Sequence, residues 1–192
     1  MSPEHKQPIT VVEQDRLKRW AQALIGRRVV GVRYRSAPGS SWPDGNSAEA
    51  IHEVDMDVSM ILDDGGFAVV SWAMNGVLEG IDLRICRGPG IAPELDETDV
   101  TATPEWRSVV DHVIGDVAAA WHVPNEGCPS TVWAVRLSLS EGSTIAIALG
   151  EVEADIVQYQ PDALVVLFDE TTARAYHPPA SAETAFGSAI KP

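Results

Sequence analysis

Cysteine is almost missing from this chain: 192 residues hold two, Cys86 and Cys128. They lack CxxC spacing, and two thiolates are too few to complete a zinc site. Free thiols are therefore expected. Long apolar runs are also missing, and nothing approaches the roughly 20 residues that cross a bilayer as a helix. The opening residues, Met1-Ser2-Pro3-Glu4-His5, have no apolar core of a secretory leader. A cytoplasmic protein without membrane contact is the expectation. No P-loop, dinucleotide fingerprint, G-x-S-x-G or H-E-x-x-H occurs. No cofactor and no metal are expected, and the balance leans away from an enzyme.

Basic residues become scarce beyond the first part of the chain. Arg16, Lys18, Arg19, Arg27, Arg28, Arg33 and Arg35 make up half of the fourteen. From Ser36 onward six basic residues face twenty-five acidic ones, and the net charge is −14. Such a surface repels a phosphate backbone, which disfavours nucleic acid. It suits a basic protein partner.

What is present is alternation. Ile51–Leu62 and Phe67–Met74 are two alternating runs joined by Asp63-Asp64-Gly65-Gly66, the pattern of a β-hairpin. Thr131–Leu139 and Thr144–Gly150, joined by Ser140-Glu141-Gly142-Ser143, repeat it. Before the first hairpin, Leu17, Trp20, Ala21, Leu24 and Ile25 make one helical stripe, with Thr10 and Glu13 at capping-box spacing and Gly26 as the stop. Arg28–Tyr34 reads as a strand, 36–47 as a loop, and Ile81–Ile85 as a further strand. Before the second hairpin, Thr103 and Pro104 open a helix with Trp106, Val109, Val110, Val113 and Ile114 on its stripe and Gly115 as the stop. Val117–Val123 is then a strand, and Ala163–Phe168 closes the order.

An offset of 89 places Leu17 on Trp106 and Gly26 on Gly115, and an offset of 77 places Leu62 on Leu139 and Gly65 on Gly142. The expectation is an α+β domain over 1–192: an antiparallel meander with two packed helices, built as a tandem repeat with pseudo-twofold symmetry. Its parts are a half at 10–86, an acidic linker at 87–103, a half at 104–169 and a flexible tail at 170–192.

Alternation along Ile51–Leu62 puts Glu53, Asp55 and Asp57 on one face, about 7 Å apart. Such a row can bind a hard cation or do acid–base work; it can equally pair with Arg33 or Arg35 across the sheet. Trp42, followed by Asp44, lies in a loop of glycine, proline and serine. An indole there is either a partner contact or a cover over the apolar surface. Trp72, Trp121 and His122 are candidates for a pocket between the halves. Three readings follow in order of preference. The first is a non-enzymatic interaction or inhibitor module of the immunity type, contacting its partner through Trp42 and Asp44. The second is a small-molecule binder using Trp72, Trp121 and His122. The third is a hydrolase or lyase using Glu53, Asp55 and Asp57.

Overall fold

The apolar residues at helical spacing do form a helix. In a computed structural model that describes residues 14–40, 42, 50–88 and 94–190, α1 spans Gln14–Leu24 and buries Leu17, Trp20, Ala21 and Leu24. Gly26, at φ 85°, turns the chain out of it. The Thr10/Glu13 cap lies outside the described residues. No helix among the described residues is long and apolar enough to cross a membrane.

Strands dominate the rest, and they are antiparallel. The first half supplies β1 (Val29–Ser36), β2 (Ile51–Val54), β3 (Asp57–Leu62), β4 (Phe67–Asn75), β5 (Leu78–Cys86) and β6 (Asp96–Asp99). After α2 (Pro104–Arg107) come β7 (Ile114–His122), β8 (Thr131–Leu139), β9 (Thr144–Leu149), β10 (Glu151–Glu153), β11 (Ile156–Gln158) and β12 (Leu164–Leu167). Then follow α3 (Glu170–Ala175) and β13 (Ser188–Ala189). A meander was expected, and the strands sort into two main sheets. One has the order β5-β4-β3-β1-β6, the other β13-β7-β8-β9-β12-β2, and β10-β11 is a separate ribbon. Both sheets and α1 contribute to one continuous apolar cluster.

Both expected hairpins are present, β3-β4 and β8-β9. Their turns match: Leu62 N–H donates to Gly66 O and Leu139 N–H to Ser143 O, each at 2.9 Å. Gly65 (φ 79°) and Gly142 (φ 88°) take the left-handed conformation that a side chain would strain.

Several expectations are corrected. The run Ile51–Leu62 is not one strand: it breaks at Asp55-Met56, and β2 crosses to the other sheet to pair with β12. The break is set by tertiary bonds, since Met56 N–H donates to Arg35 O (3.1 Å) and the Trp72 indole to Asp55 O (2.8 Å). The second helix ends at Arg107, not near Gly115, which lies inside β7. Beyond it the chain makes local turns as far as His112, and bonds to the segment entering β1 replace further helix: Asp111 N–H to Val29 O, Ile114 N–H to Arg27 O. Asp111, at φ 69°, makes the turn that Gly115 was expected to make. The linker 87–103 contains β6, which pairs with β1. The segment 170–192 contains α3, the buried Tyr176 and Ala185, and β13 on the edge of β7.

Candidate functional site

Carboxylates were the candidates of the third reading, and the structure gives each its own partner. Glu53 Oε2 accepts from Val152 N–H (2.8 Å), and Asp55 Oδ2 from Ala37 N–H (2.7 Å). Asp57 takes the Arg35 guanidinium at 2.6 and 2.8 Å, and both side chains are buried. Because β2 and β3 lie in different sheets, Glu53, Asp55 and Asp57 do not share one strand face. Among the described residues no group of three or more metal-ligating side chains converges. Cross-strand pairing with Arg35 is therefore the arrangement found for Asp57.

The register carries that pair further across the sheet. Arg35 stands opposite Asp57, Asp57 opposite Ser71, and Ser71 opposite Asp82. All four are buried, so a polar row runs from β1 to β5. It ends on Asp82, which ion-pairs with Arg16 of α1 and, at 3.2 Å, with Arg84. Arg16 also donates to Leu83 O at 2.7 Å, so α1 covers backbone at the β5 edge.

A second polar cluster was not foreseen from sequence. His52, in β2, is 3% exposed and sits among Tyr34, Trp42 and Phe168, with ring centroids 5.8, 4.8 and 4.9 Å away. The Trp106 indole N–H donates to Tyr34 Oη at 2.6 Å. An indole can only donate, so the Tyr34 hydroxyl hydrogen is directed to His52 Nδ1, 2.8 Å away. That leaves the His52 proton on Nε2, 3.1 Å from Glu105 Oε2. The chain of bonds starts and ends on neighbouring residues of α2 and passes through one strand of each sheet. Burial lowers the His52 pKa, and Glu105 opposes that effect. Burial also raises the Tyr34 pKa well above its ordinary value. Trp42 covers this cluster: its indole is partly buried, lies 5.1 Å from the Tyr34 ring and donates to Glu53 O at 2.9 Å. Of the two readings of that indole, this is the inward one. Asp44 lies outside the described residues.

Trp72, Trp121 and His122 each have bonding partners of their own. Trp72 bonds Asp55 O, as above. Trp121 meets the other end of the chain through its backbone N–H, which donates to Glu183 Oε2 at 2.6 Å. His122 is buried against Tyr159 and Trp133, with centroids 5.7 and 6.4 Å away. Its Nε2–H donates to Glu79 O (3.3 Å), which also accepts from Thr131 Oγ1 at 2.5 Å. Its Nδ1 is buried without a partner. A second proton there would be buried and unbonded, and burial pulls the pKa down to about 4.

A pH dependence follows. In the unfolded chain His122 titrates near its ordinary value, about 6.5. Between there and about 4 the unfolded state binds more protons, so stability falls as pH falls through that window. The loss amounts to about 3 kcal/mol at most. Urea unfolding at several pH values should give a shallower slope for His122→Gln, which keeps a donor and cannot titrate. An unchanged slope would assign the effect elsewhere.

The acidic surface includes an edge strand. β6, Asp96-Glu97-Thr98-Asp99, is the last strand of its sheet, and its three carboxylate residues are exposed. Glu97 pairs with Arg33 at 2.8 Å, and Asp96 accepts from Gly39 N–H at 2.8 Å. Hydrogen bonds from Thr101 hold the Asp99 pKa below its ordinary value.

No protein-family model, curated protein or solved structure matches this chain.

Proposed function

We propose that this protein is a non-enzymatic interaction module whose acidic surface docks a basic partner protein, as an inhibitor of the immunity type would. The observation that carries this reading is how the arginines are used. Arg16, Arg27, Arg33, Arg35, Arg84, Arg136 and Arg174 each lie within ion-pair distance of a carboxylate of the same chain. With those cations engaged, a chain of net charge −14 has an acidic excess left for a partner. β6 concentrates part of it on a sheet edge, where a basic strand can add through backbone bonds while its lysines and arginines meet carboxylates. Trp42 enters this reading as a support beneath the surface, since its ring faces the His52 cluster.

The test is capture from source-cell lysate at low and high salt, with wild type beside a Glu94→Lys/Glu97→Lys double variant. Both positions are exposed. The expected result is a basic protein retained at low salt, released at high salt and lost with the double variant. A blank in every arm, or a partner indifferent to salt and to both substitutions, would sink the reading.

A tandem duplication is part of the proposal. Corresponding registers support it: Val29 faces Leu62 and Val32 faces Met60, as Ile114 faces Leu139 and Val117 faces Leu137. Each pairing shifts register at the same place, after Val29 and after Ile114. The starts of β1 and β7 meet in an antiparallel bridge, Arg28 to Val113. In this alignment Gly26 corresponds to Asp111, both left-handed, and not to Gly115.

A further inference from the structure

The last described residues lie on β7 as a bound peptide would. Ser188 stands opposite Ala119 and Ala189 opposite Ala118, and Ile190 N–H donates to Val117 O at 3.3 Å. Further along the edge, side chains take over from the ladder. Glu183 Oε2 accepts from Trp121 N–H at 2.6 Å, and Ser181 Oγ lies 2.9 Å from Trp121 O. Ser181 Oγ also accepts from the Trp133 indole N–H at 3.1 Å. The Phe186 ring has the guanidinium carbons of Arg174 and Arg136 at 3.4 and 4.1 Å from its centroid. At Gly187, φ 62°, a Cβ would come within 2.7 Å of the Ala119 backbone. The site therefore reads a carboxylate at 183, an aromatic ring at 186 and a missing side chain at 187.

Most of what holds this segment is polar. Between 180 and 190 only Ala185 is buried, and Phe186 and Ile190 are partly buried. A unit with so few buried apolar contacts opens at a lower free energy than the core does. Beneath it, Ala118, Ala119 and Ala120 of β7 are buried. Once the segment leaves, a stretch of apolar strand edge stands with open backbone groups, and such an edge takes another strand. Pro178 and Pro179 precede the segment, and a proline has no N–H to lose from a ladder when the chain swings there.

We infer that residues 179–190 are a detachable strap, and that the β7 edge is a strand-docking site that also takes the same segment of a second copy of this chain. The second strap is identical, so exchange recreates every contact above. Each molecule gives one strap and receives one, which closes a twofold dimer. The carboxylate and the aromatic ring of each site then come from the other copy. The site is independent of the acidic-surface reading, since β7 and β6 belong to different sheets.

The probe is a fluorescent synthetic peptide of residues 179–190. The receptor is the full chain, as wild type and as Glu183→Gln/Phe186→Ala, which loosens the strap and leaves β7 unaltered. The Trp133 indole signal in a proton–nitrogen correlation spectrum, assigned by triple-resonance spectra, reports the seat through its bond to Ser181. The expected result is that this signal moves in the double variant and returns on saturation with peptide. The double variant binds the peptide at least tenfold more tightly than wild type, whose own strap competes. A peptide with the same two substitutions binds at least tenfold more weakly. Wild type refolded at high concentration forms a dimer that excess peptide converts to monomer. The inference is overturned if the Trp133 signal of the double variant keeps its wild-type position, or if the peptide leaves a displaced signal unmoved. It is overturned equally if wild type and double variant bind the peptide alike, or if the substituted peptide binds like the native one. A wild type that refolds only to monomer would overturn the second copy as the occupant.

Discussion

Asp57→Ala is expected to lower folding stability by about 3–5 kcal/mol, because it leaves a guanidinium buried without its carboxylate. Arg35 and Asp57 are 7% and 2% exposed and meet through two contacts of 2.6 and 2.8 Å. Taking both charges out of water is costly, and their attraction repays it only while both are present. Replacing the pair together, as Arg35→Met/Asp57→Leu, should therefore restore most of the loss. The pair Arg33–Glu97 is the internal control. Its distance, 2.8 Å, is similar, but its side chains are 32% and 39% exposed. Solvent screens it, and Glu97→Ala should cost less than about 1 kcal/mol. Urea unfolding of the four proteins checks the whole set. An Asp57→Ala variant as stable as Glu97→Ala would show that burial does not govern this pair.

Tyr34→Phe is the second large effect, expected at about 2–5 kcal/mol. The hydroxyl accepts from the Trp106 indole and donates to His52 Nδ1. Removing one oxygen strands a buried donor and a buried acceptor, each worth about 1–3 kcal/mol. Trp106→Phe deletes the donor as well as its need for a partner, so its cost arises from lost volume instead. Combining the two should cost less than the sum of the single changes, because the Trp106 N–H cannot be stranded twice. Denaturant midpoints give all three values. Simple additivity would mean that the hydroxyl and the indole do not act as one unit.

Local chemistry was legible and tertiary chemistry was not. Gly65 and Gly142 announce their turns because those positions need a left-handed backbone, and the hairpins stand where that signal put them. The α1 stripe was legible because its period is set by the helix itself. The break at Asp55-Met56 was not, since alternation runs straight through it and the bonds that bend the chain come from Arg35 and Trp72. The shortened α2 failed for a similar reason: Val109, Val110 and Val113 fit a helical stripe, but Asp111, His112 and Ile114 find backbone partners at Arg27 and Val29. The His52 cluster was hidden by distance along the chain, because Tyr34, His52 and Glu105 come from β1, β2 and α2. The trace that was available is a histidine on the apolar side of an alternating run. Arg35 was legible as a partner for the acidic strand, because opposite charges on neighbouring strands are an ordinary cross-strand pair.

The crossing of β2 has a consequence for how the chain folds as it is made. β2 pairs with β12, so Ile51 waits for Leu167 and Val54 for Leu164. When the first half leaves the ribosome, β1, β3, β4 and β5 can already pair with one another. β2 has no partner until almost the whole second half has emerged, and contacts so distant in sequence form slowly. During that interval a strand carrying Ile51 and Val54 stands with open backbone groups, which invites pairing with another nascent chain. Slower elongation through the second half should lengthen that exposure, and a chaperone that shields single strands should raise the yield of folded protein.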